Sequence, residues 1–340
     1  MAWISRVVLS PLRQRIRAFI LKFMQEFWPI IASVLGVFLV IGVGALCRSV
    51  GWLTAEADRT LANLTANIML PAYFVHQFSR STEIGAISTA WQPPLLGFAT
   101  TAIGLGIALL FAKTIGRWFG LVSDSSQRAF ALVAGICNYG YIPLPLAEQF
   151  YKSAMIDLIL HNVGVSIALW SIGIAIISGS GSDGWKKAVF SPPLWAVAFS
   201  IFLSTMGWAQ SIPGPLATAI GTLGSCAIPM GLLLSGAIIV DFIRDKSWLA
   251  DVRVIIAGIA IRQLILPVLL LTVGGWIVRS PDLRTVVMLQ AAMPSAVFPI
   301  VLTKLYGRDT ETALRVVLWT SIAGVILIPA WLAAGAWWLG

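Results

Sequence analysis

Charged residues are scarce in this sequence. Only 11% of the 340 residues are charged, whereas 58% are hydrophobic and the mean hydropathy is +0.89. A soluble globular domain carries about 25% charged residues, so this chain has too little polar surface to fold in water. The composition therefore excludes an ordinary soluble protein and predicts one that is embedded in a membrane.

Several chemical motifs are also missing. The cysteines Cys47, Cys137 and Cys226 form no C-x-x-C pair, which argues against a disulfide framework or a zinc site. The sequence has neither the GxxxxGK[ST] loop of ATP-binding proteins nor the HExxH pair of zinc proteases. We therefore expect no cofactor, no metal and no enzymatic activity.

The net charge of +9 does not indicate nucleic-acid binding. The basic residues lie in short gaps between apolar runs and form no basic stripe of the kind that contacts phosphates. Most of these gaps fall on one side of the predicted membrane, which the positive-inside rule makes cytoplasmic. We therefore expect a multi-pass protein of the cell inner membrane whose surroundings are the lipid bilayer.

Long apolar segments fill the chain from residue 28 onward, and each reaches the roughly 20 residues that cross a bilayer core. We predict an all-α membrane protein with ten transmembrane helices, at about residues 28–47, 58–79, 91–113, 128–151, 155–177, 188–208, 213–240, 252–278, 283–305 and 311–338. Residues 1–27 are a basic amphipathic arm suited to anionic lipid, although its charges oppose the orientation that the rest of the chain indicates.

The fourth and ninth segments share a pattern of prolines. An offset of 156 residues places Asn138 on Pro294 and Pro143 on Pro299, and an offset of 158 places Pro71 of the second segment on Pro229 of the seventh. These offsets indicate a five-helix unit at residues 28–177, a linker at 178–187 and an inverted second copy at 188–340. Inverted repeats with discontinuous helices are typical of secondary transporters.

The prolines also predict where the fourth and ninth helices break. Each proline removes the hydrogen bond to the carbonyl four residues earlier, so Pro143 frees the carbonyl of Tyr139 and Pro294 that of Gln290. Free carbonyls inside a membrane persist only where protein, water or ligand supplies partners. A pair of ordinary proline kinks is the alternative interpretation.

These residues resemble the auxin efflux carrier family, whose bacterial permeases are related to the plant auxin carriers. The similarity lies in NIMLPAYF at 67–74, in Asn138-Tyr139-Gly140-Tyr141-Ile142-Pro143-Leu144, in RQLILP at 262–267 and in AAMPSAVFPIVLTKLYG at 291–307. It implies ten helices with two crossed, broken helices, and transport of an organic anion such as an auxin-like acid or a small carboxylate.

On this basis we predict a substrate site at the two breaks. Its candidate residues are Asn138, Tyr139, Gly140, Pro143, Gln290, Pro294, Ser295 and Pro299. Asn138 leads because its amide can donate to a carboxylate, although a structural cap of the break would also explain it.

Four further residues are candidates for charge or coupling roles. Arg262 lies deep in the eighth segment and pairs either with the anion or with Glu148 or Asp157. His76 and His161 either titrate during transport or are ordinary buried histidines. Glu148 either couples transport to protons or marks a wet loop.

The predicted function is alternating-access transport of a small organic anion. The rival hypotheses are a carrier coupled to sodium or protons and a membrane sensor that binds its ligand without moving it. An intramembrane enzyme has no nucleophile–base pair to support it. A homodimer is the assembly to consider beyond the monomer.

Overall fold

A computed structural model of the chain describes residues 32, 34–80, 90–179, 192–208, 211–244 and 251–339. The predicted N-terminal arm and nearly all of the predicted linker lie outside these residues. The described residues form helices joined by short connections, and they contain no β-strand beyond one isolated bridge. The all-helical class is therefore confirmed.

Thirteen helical pieces of the described residues can be numbered by the predicted segment in which each lies. They are α1 (Val34–Ser49), α2 (residues 57–80), α3 (Gln92–Thr114), α4a (Asp124–Gly135), α4b (Pro143–Phe150), α5 (Lys152–Ser178), α6 (Pro192–Thr205), α7a (Gly214–Ser225), α7b (Ala227–Arg244), α8 (Val252–Ile277), α9a (Pro281–Ala292), α9b (Phe298–Leu305) and α10 (Thr310–Leu339).

Five helices of the described part are long and apolar enough to cross a membrane. They are Gln92–Thr114, Lys152–Ser178, Gly214–Asp241, Val252–Ile277 and Thr310–Leu339. With a rise of about 1.5 Å per residue, helices of this length span the hydrocarbon core. The protein is therefore a multi-pass membrane protein.

The fourth and ninth segments are interrupted, as their prolines predict. Helix α4a ends at Gly135, and the chain is extended at Ile136 before α4b begins with Pro143. Helix α9a ends at Ala292, and the chain is extended at Met293 before α9b begins with Phe298. Each first half starts at a serine N-cap, Ser123 or Ser280, whose hydroxyl accepts a backbone N–H of the first turn.

The helices pack as two groups. Helices α1, α2, α6 and α7 form one group, which we call the flanking bundle, and α2 packs on both α6 and α7a. Helices α3, α4, α5, α8, α9 and α10 form the other, which we call the crossing bundle. The contacts between the groups are fewer and run mainly from α2, α6 and α7b to α5 and α10.

Glycines allow α1 and α7b to approach closely inside the flanking bundle. A Cβ at Gly44 would overlap the backbone of Leu233, and a Cβ at Gly236 would overlap the carbonyl of Ile41. Close backbone approach at small residues is how helices associate in lipid, where the hydrophobic effect between them is absent.

Arginine side chains cap the C-terminal ends of two helices. Arg128 donates to the carbonyl of Ile176 at 2.8 Å, and Arg308 donates to that of Ile177 at 2.7 Å, both at the C-terminal end of α5. Arg284 donates to the carbonyl of Leu339 at 3.1 Å, at the C-terminal end of α10. A cation at this end of a helix complements its dipole and the unpaired carbonyls there.

Candidate functional site

The two breaks cross and join each other through their backbones. The N–H of Asn138 donates to the carbonyl of Pro294 at 2.7 Å, and the N–H of Ala296 donates to that of Ile136 at 3.1 Å. These two bonds flank the isolated antiparallel bridge between Cys137 and Ser295. The interruptions of α4 and α9 thus satisfy part of each other's backbone.

Side chains satisfy the carbonyls that the prolines free. The carbonyl of Tyr139 accepts from Asn162 Nδ2 at 2.7 Å and from Gln290 Nε2 at 3.4 Å. The carbonyl of Gln290 accepts from Arg262 Nη2 at 3.2 Å. Of the partners that the sequence analysis allowed, which were protein, water or ligand, protein groups serve both of these carbonyls, and the breaks are more than ordinary kinks.

The side-chain oxygen of Asn138 caps the first break, and its side-chain nitrogen does not take part in that cap. Its Oδ1 accepts the N–H of Tyr141 at 3.1 Å, which is the local turn that asparagine commonly makes with its own backbone. Its Nδ2 has no hydrogen-bond partner among the described residues. The structural cap that the sequence left open is therefore present, and an N–H donor is left over at the break.

A cavity of about 550 Å³ lies where the first break faces the flanking bundle. Helix α2 contributes Asn67, Leu70 and Phe74, and α5 lines the opposite wall from Ile159 to Trp170. The remaining walls come from residues 138–141 and 144 of the fourth segment, from 296–298 of the ninth and from Pro192.

The chemistry of the cavity is apolar with a few amide and hydroxyl groups. Tyr139, Tyr141 and Phe298 add aromatic surface to that of Phe74 and Trp170. The polar groups are uncharged: none of the described residues that line the cavity is acidic or basic. Mostly apolar walls with a few placed polar groups are typical of small-molecule sites.

Three of the predicted substrate residues line the cavity, and the other five do not. Asn138, Tyr139 and Gly140 line the cavity. Pro143 and Pro299 lie in the first turns of α4b and α9b. Gln290, Pro294 and Ser295 are buried in the crossing and do not line the cavity in this structure.

Gln290 and Ser295 serve the crossing itself. Gln290 Nε2 donates to Asn162 Oδ1 at 3.0 Å, and its Oε1 accepts from the thiol of Cys137 at 3.0 Å. The N–H of Ser295 donates to Thr320 Oγ1 at 3.3 Å, whereas its hydroxyl is buried without a described partner. Their role in contacting a substrate stays a prediction.

The four candidates for charge or coupling roles lie apart from one another. Arg262 is buried and donates to backbone carbonyls of α9a, and among the described residues it pairs with no carboxylate. Glu148 is exposed and accepts from Gln77 of α2 at 3.4 Å. His76 lies beside Gly221 of α7a. His161 is buried, and its Nδ1 has no hydrogen-bond partner within the part of the chain that the structure describes.

Asn162 and Tyr141 matter more than the sequence indicated. Asn162 links Tyr139 to Gln290 and lines the cavity, yet in the sequence it is one polar residue inside an apolar run. The ring of Tyr141 lies against the backbone of Gly231 in α7b, where a Cβ would overlap it. Tyr141 belongs to the stretch Asn138 to Leu144 that carries the family resemblance, but its contact with the flanking bundle is visible only in the fold.

Comparison with known proteins adds to this geometry. The family model described as membrane transport protein matches residues 29–184 and 182–332. The chain belongs to this family. The resemblance to the auxin efflux carriers, which are members of it, is thereby confirmed.

Relatives of this membrane transport protein are known from archaea and yeast. An uncharacterized transporter of Methanothermobacter thermautotrophicus is 24% identical over 303 residues, covering 88% of this chain and 96% of the relative. One from Methanocaldococcus jannaschii is 23% identical over 304 residues, with the same coverage. One from Saccharomyces cerevisiae is 25% identical over 99 residues, covering 28% of this chain and 15% of that protein. Membrane transport is thus the activity class that the family description and the names of these relatives share.

Proposed function

We propose that this protein is a secondary transporter of a small organic anion and works by alternating access. The observation that carries the proposal is the cavity at the crossing, where Asn138 Nδ2 has no hydrogen-bond partner among the described residues and the walls are otherwise largely apolar. Family membership supports transport, and the resemblance to auxin efflux carriers supports an organic anion.

The proposed architecture is ten transmembrane helices in two inverted repeats. The two crossing bonds support it, because a shift of 158 residues turns the bond from Asn138 to Pro294 into the bond from Ala296 to Ile136. The proline match uses 156 residues instead, so the second copy has two fewer residues between the bridge and its proline.

Two further correspondences support the repeat. Arg128 of α4a caps the end of α5, and Arg284 of α9a, 156 residues later, caps the end of α10. Asn162 of α5 holds the carbonyl of Tyr139 in the first break, and Thr320 of α10, 158 residues later, holds the N–H of Ser295 in the second. Helices α5 and α10, which correspond in the proposed repeat, thus each contribute a polar side chain to the break of their own half.

The cavity favours an anion with one carboxylate and an apolar body. A dicarboxylate would bring a second charge into a site whose described lining has no basic residue, and burying a charge without a partner is costly. One carboxylate can be held by side-chain amide N–H groups that line the cavity, such as those of Asn138 and Asn67. The aromatic walls suit an apolar or aromatic remainder.

In the proposed mechanism the crossing bundle moves against the flanking bundle. The cavity lies between the two groups, as alternating access requires. Contacts from Tyr73 and Gln77 of α2 to Met155 and Glu148 close the end that the charge pattern makes external. Pro192 and Trp170 line the end toward the cytoplasm of the proposed inner-membrane orientation.

Flux in proteoliposomes tests the proposal. Wild type, Asn138→Ala and the control Asn63→Ala would be compared with labelled indole-3-acetate and malonate, with sodium and proton gradients collapsed in turn. Asn63 is exposed on α2 and does not line the cavity. We expect wild type and the control to move the monocarboxylate, and Asn138→Ala to lose about tenfold of the flux because a hydrogen bond to a charged group is removed.

Other outcomes favour the rival hypotheses. Flux that stops with one gradient indicates coupling to that ion. Binding without flux indicates a sensor. Flux of neither acid under any gradient contradicts the organic-anion proposal, and equal flux in Asn138→Ala contradicts the proposed site.

A further inference from the structure

Arg262 is an arginine buried inside the membrane-embedded crossing bundle. Its side chain is 2% exposed, and it lies in a π-helical stretch of α8, Ala260–Ile265. Its Nε donates to the carbonyl of Met293 at 3.0 Å and its Nη2 to that of Gln290 at 3.2 Å. It therefore sits at the C-terminal end of α9a, where the dipole of the half-helix is negative.

No carboxylate neutralises this charge among the described residues. Their ion pairs involve other basic residues, namely Arg48, Lys113, Arg128, Arg308 and Arg315. The end of a helix dipole carries about half an elementary charge, so α9a offsets only part of the arginine. A net positive charge thus remains in the crossing, in surroundings of low dielectric constant.

The first repeat has no such charge at the corresponding place. A shift of 158 residues relates Arg262 to Gly104 and Met293 to Gly135. The two positions make the same contact. A Cβ at Gly104 would lie 2.5 Å from the carbonyl of Gly135, and Arg262 likewise faces the carbonyl of Met293. They differ in chemistry, since α3 has a glycine where α8 has a cation.

The charge lies directly behind the wall of the cavity. Arg262 binds the carbonyl of Met293, and the adjoining residue Pro294 accepts the N–H of Asn138, which lines the cavity. The walls themselves carry no charged side chain among the described residues. The part of the Arg262 charge that α9a does not offset lies one backbone segment behind the wall, so it makes the potential at the cavity favourable to an anion.

We propose that Arg262 is the resident counter-charge of the transported anion and determines the selectivity of the cavity for anions. It acts through the crossing backbone as a positioning residue and does not contact the substrate in this structure. Because this cation is covalently part of the protein, binding needs no sodium ion or proton to supply positive charge. This inference rests on the organic-anion function proposed above and names the residue that supplies its charge selectivity.

One test needs no substrate. Ser166 lines the cavity and is nearly the size of cysteine, so Ser166→Cys places a thiol there in a background lacking Cys47 and Cys226. The thiol would be modified with an anionic sulfonatoethyl and a cationic trimethylammonioethyl methanethiosulfonate, and peptide mapping would give each rate. We expect the anionic-to-cationic rate ratio to exceed that of free cysteine and to fall on the order of tenfold in Arg262→Gln.

Two variants control for the loss of a charge and for the loss of a helix cap. Arg262→Lys keeps the positive charge and should keep the ratio. Arg284→Gln removes a different arginine that caps helix ends, and the ratio should not change because that arginine lies away from the crossing. A ratio in the otherwise wild-type protein no higher than that of free cysteine overturns the proposal, even if the neutral variants do not fold.

A second test uses a matched pair of ligands. Binding of indole-3-acetate and of the uncharged indole-3-acetamide would be measured in sodium and in choline buffer. We expect Arg262→Gln to weaken the acid on the order of tenfold relative to the amide, and wild type to bind the acid equally in both buffers. Equal loss of both ligands, or acid binding that requires sodium, overturns the proposal.

The two tests separate the two hypotheses. If wild type binds neither ligand but the thiol ratio behaves as expected, the proposed substrate is wrong and the counter-charge stands. If both ligands bind and the ratio does not respond to Arg262→Gln, the counter-charge is wrong and the proposed function stands.

Discussion

Asn162 shows how much one side chain can hold together inside a membrane. Its amide donates to the carbonyl of Tyr139 and accepts from Gln290, so it joins both breaks to α5. Each of these groups would otherwise be a buried polar atom with fewer partners, which costs about 1–3 kcal/mol. The crossing therefore depends on a residue that belongs to neither break.

We expect Asn162→Ala to destabilise the protein by about 1–3 kcal/mol, because the amide of Gln290 and the carbonyl of Tyr139 lose a partner. Thermal unfolding in detergent, followed by tryptophan fluorescence, measures the change. Ser171→Ala in the same helix is the control, since that hydroxyl donates to the carbonyl of Ile167 in its own helix and does not line the cavity. Equal melting temperatures for the two variants would show that Asn162 does not hold the crossing.

At the scale of residues, the sequence predicted the position of the first break well. It did not predict which residues of the two breaks line the cavity and which are buried behind them. Proline chemistry points to Tyr139 and to the free carbonyl that its neighbours must bind. The pattern cannot show which of the two crossing segments faces the cavity, so Gln290 was a candidate for the site alongside Asn138, the leading one. It also cannot show which face of an apolar helix Asn162 occupies.

Individual helices are shaped by glycine and proline at particular places. In α8, Pro267 cannot bond the carbonyl of Gln263, and the indole N–H of Trp331 donates to that carbonyl at 2.7 Å instead. The π-helical stretch Ala260–Ile265 precedes this proline, and a similar stretch, Thr65–Met69, precedes Pro71 in α2. Neighbouring helices thus make these irregularities tolerable in the membrane.

The contact between α1 and α7b gives a matched pair of glycines. We expect Gly44→Ala to destabilise the protein by about 1–3 kcal/mol, because the new methyl group would overlap the backbone of Leu233 and push the helices apart. Gly42→Ala lies in the same helix and meets nothing within 4 Å, so it should be neutral or stabilising by up to about 1 kcal/mol. Detergent melting curves of both variants decide this, and an equal effect at the two sites would be evidence against close packing.

Asp124 connects several helix ends on one side of the protein. Lys113 at 2.5 Å and Arg128 at 2.6 Å pair with this carboxylate and hold its pKa down to about 2, and Arg308 lies 3.7 Å away. Because the pKa of Asp124 is lower in the folded state than in the unfolded one, its ionised form stabilises the fold. This stabilisation is complete above the unfolded pKa near 4 and is lost as the pH falls toward 2.

We therefore expect wild type to melt about 1–3 °C above Asp124→Asn between pH 5 and 8, a small difference because the carboxylate is half exposed. The difference should shrink below about pH 4 as Asp124 is protonated in the unfolded state and then in the folded one. Melting curves at several pH values test this. A difference that persists unchanged to pH 3 would assign the effect to something other than the charge.

At the scale of elements, sequence periodicity gave good positions for the helices. The boundaries of α3 and α8 differ from the predicted segments by only a residue or two. The interrupted segments were harder, since hydropathy alone reads α4a and α4b as one apolar run. Proline spacing revealed the break, but the paired strand between the halves depends on residues more than 150 positions away.

At the scale of the whole molecule, the described helices form two groups with a cavity between them. The flanking bundle touches the crossing bundle through Tyr141 against Gly231 and through Gln77 against Glu148. In the proposed mechanism these contacts belong to one conformation and must separate when the other forms. Sequence patterns predicted the repeat but gave no means of grouping the helices, because each group contains helices from both halves of the chain.

A reversible cross-link tests the motion between the groups. We expect Gln77→Cys with Glu148→Cys, joined by a short bis-methanethiosulfonate, to abolish flux of a transported acid while leaving its binding intact, and reductant to restore flux. Lys113→Cys with Asp124→Cys joins two helices of the crossing bundle and should leave flux unchanged after the same reaction. Undiminished flux in the cross-linked first pair would contradict movement of the two groups.

The paired backbone of the crossing has a consequence for how the protein is made. The N–H of Asn138 and the carbonyl of Ile136 bond residues 294 and 296, which leave the ribosome about 156 residues later. At synthesis rates of about 5–20 residues per second, that wait is roughly 8 to 30 seconds. During it the fourth segment must remain in the membrane with an incomplete break, held by Asn162 of its own half. The newborn chain is therefore most vulnerable to misassembly and proteolysis in the interval before its ninth segment arrives.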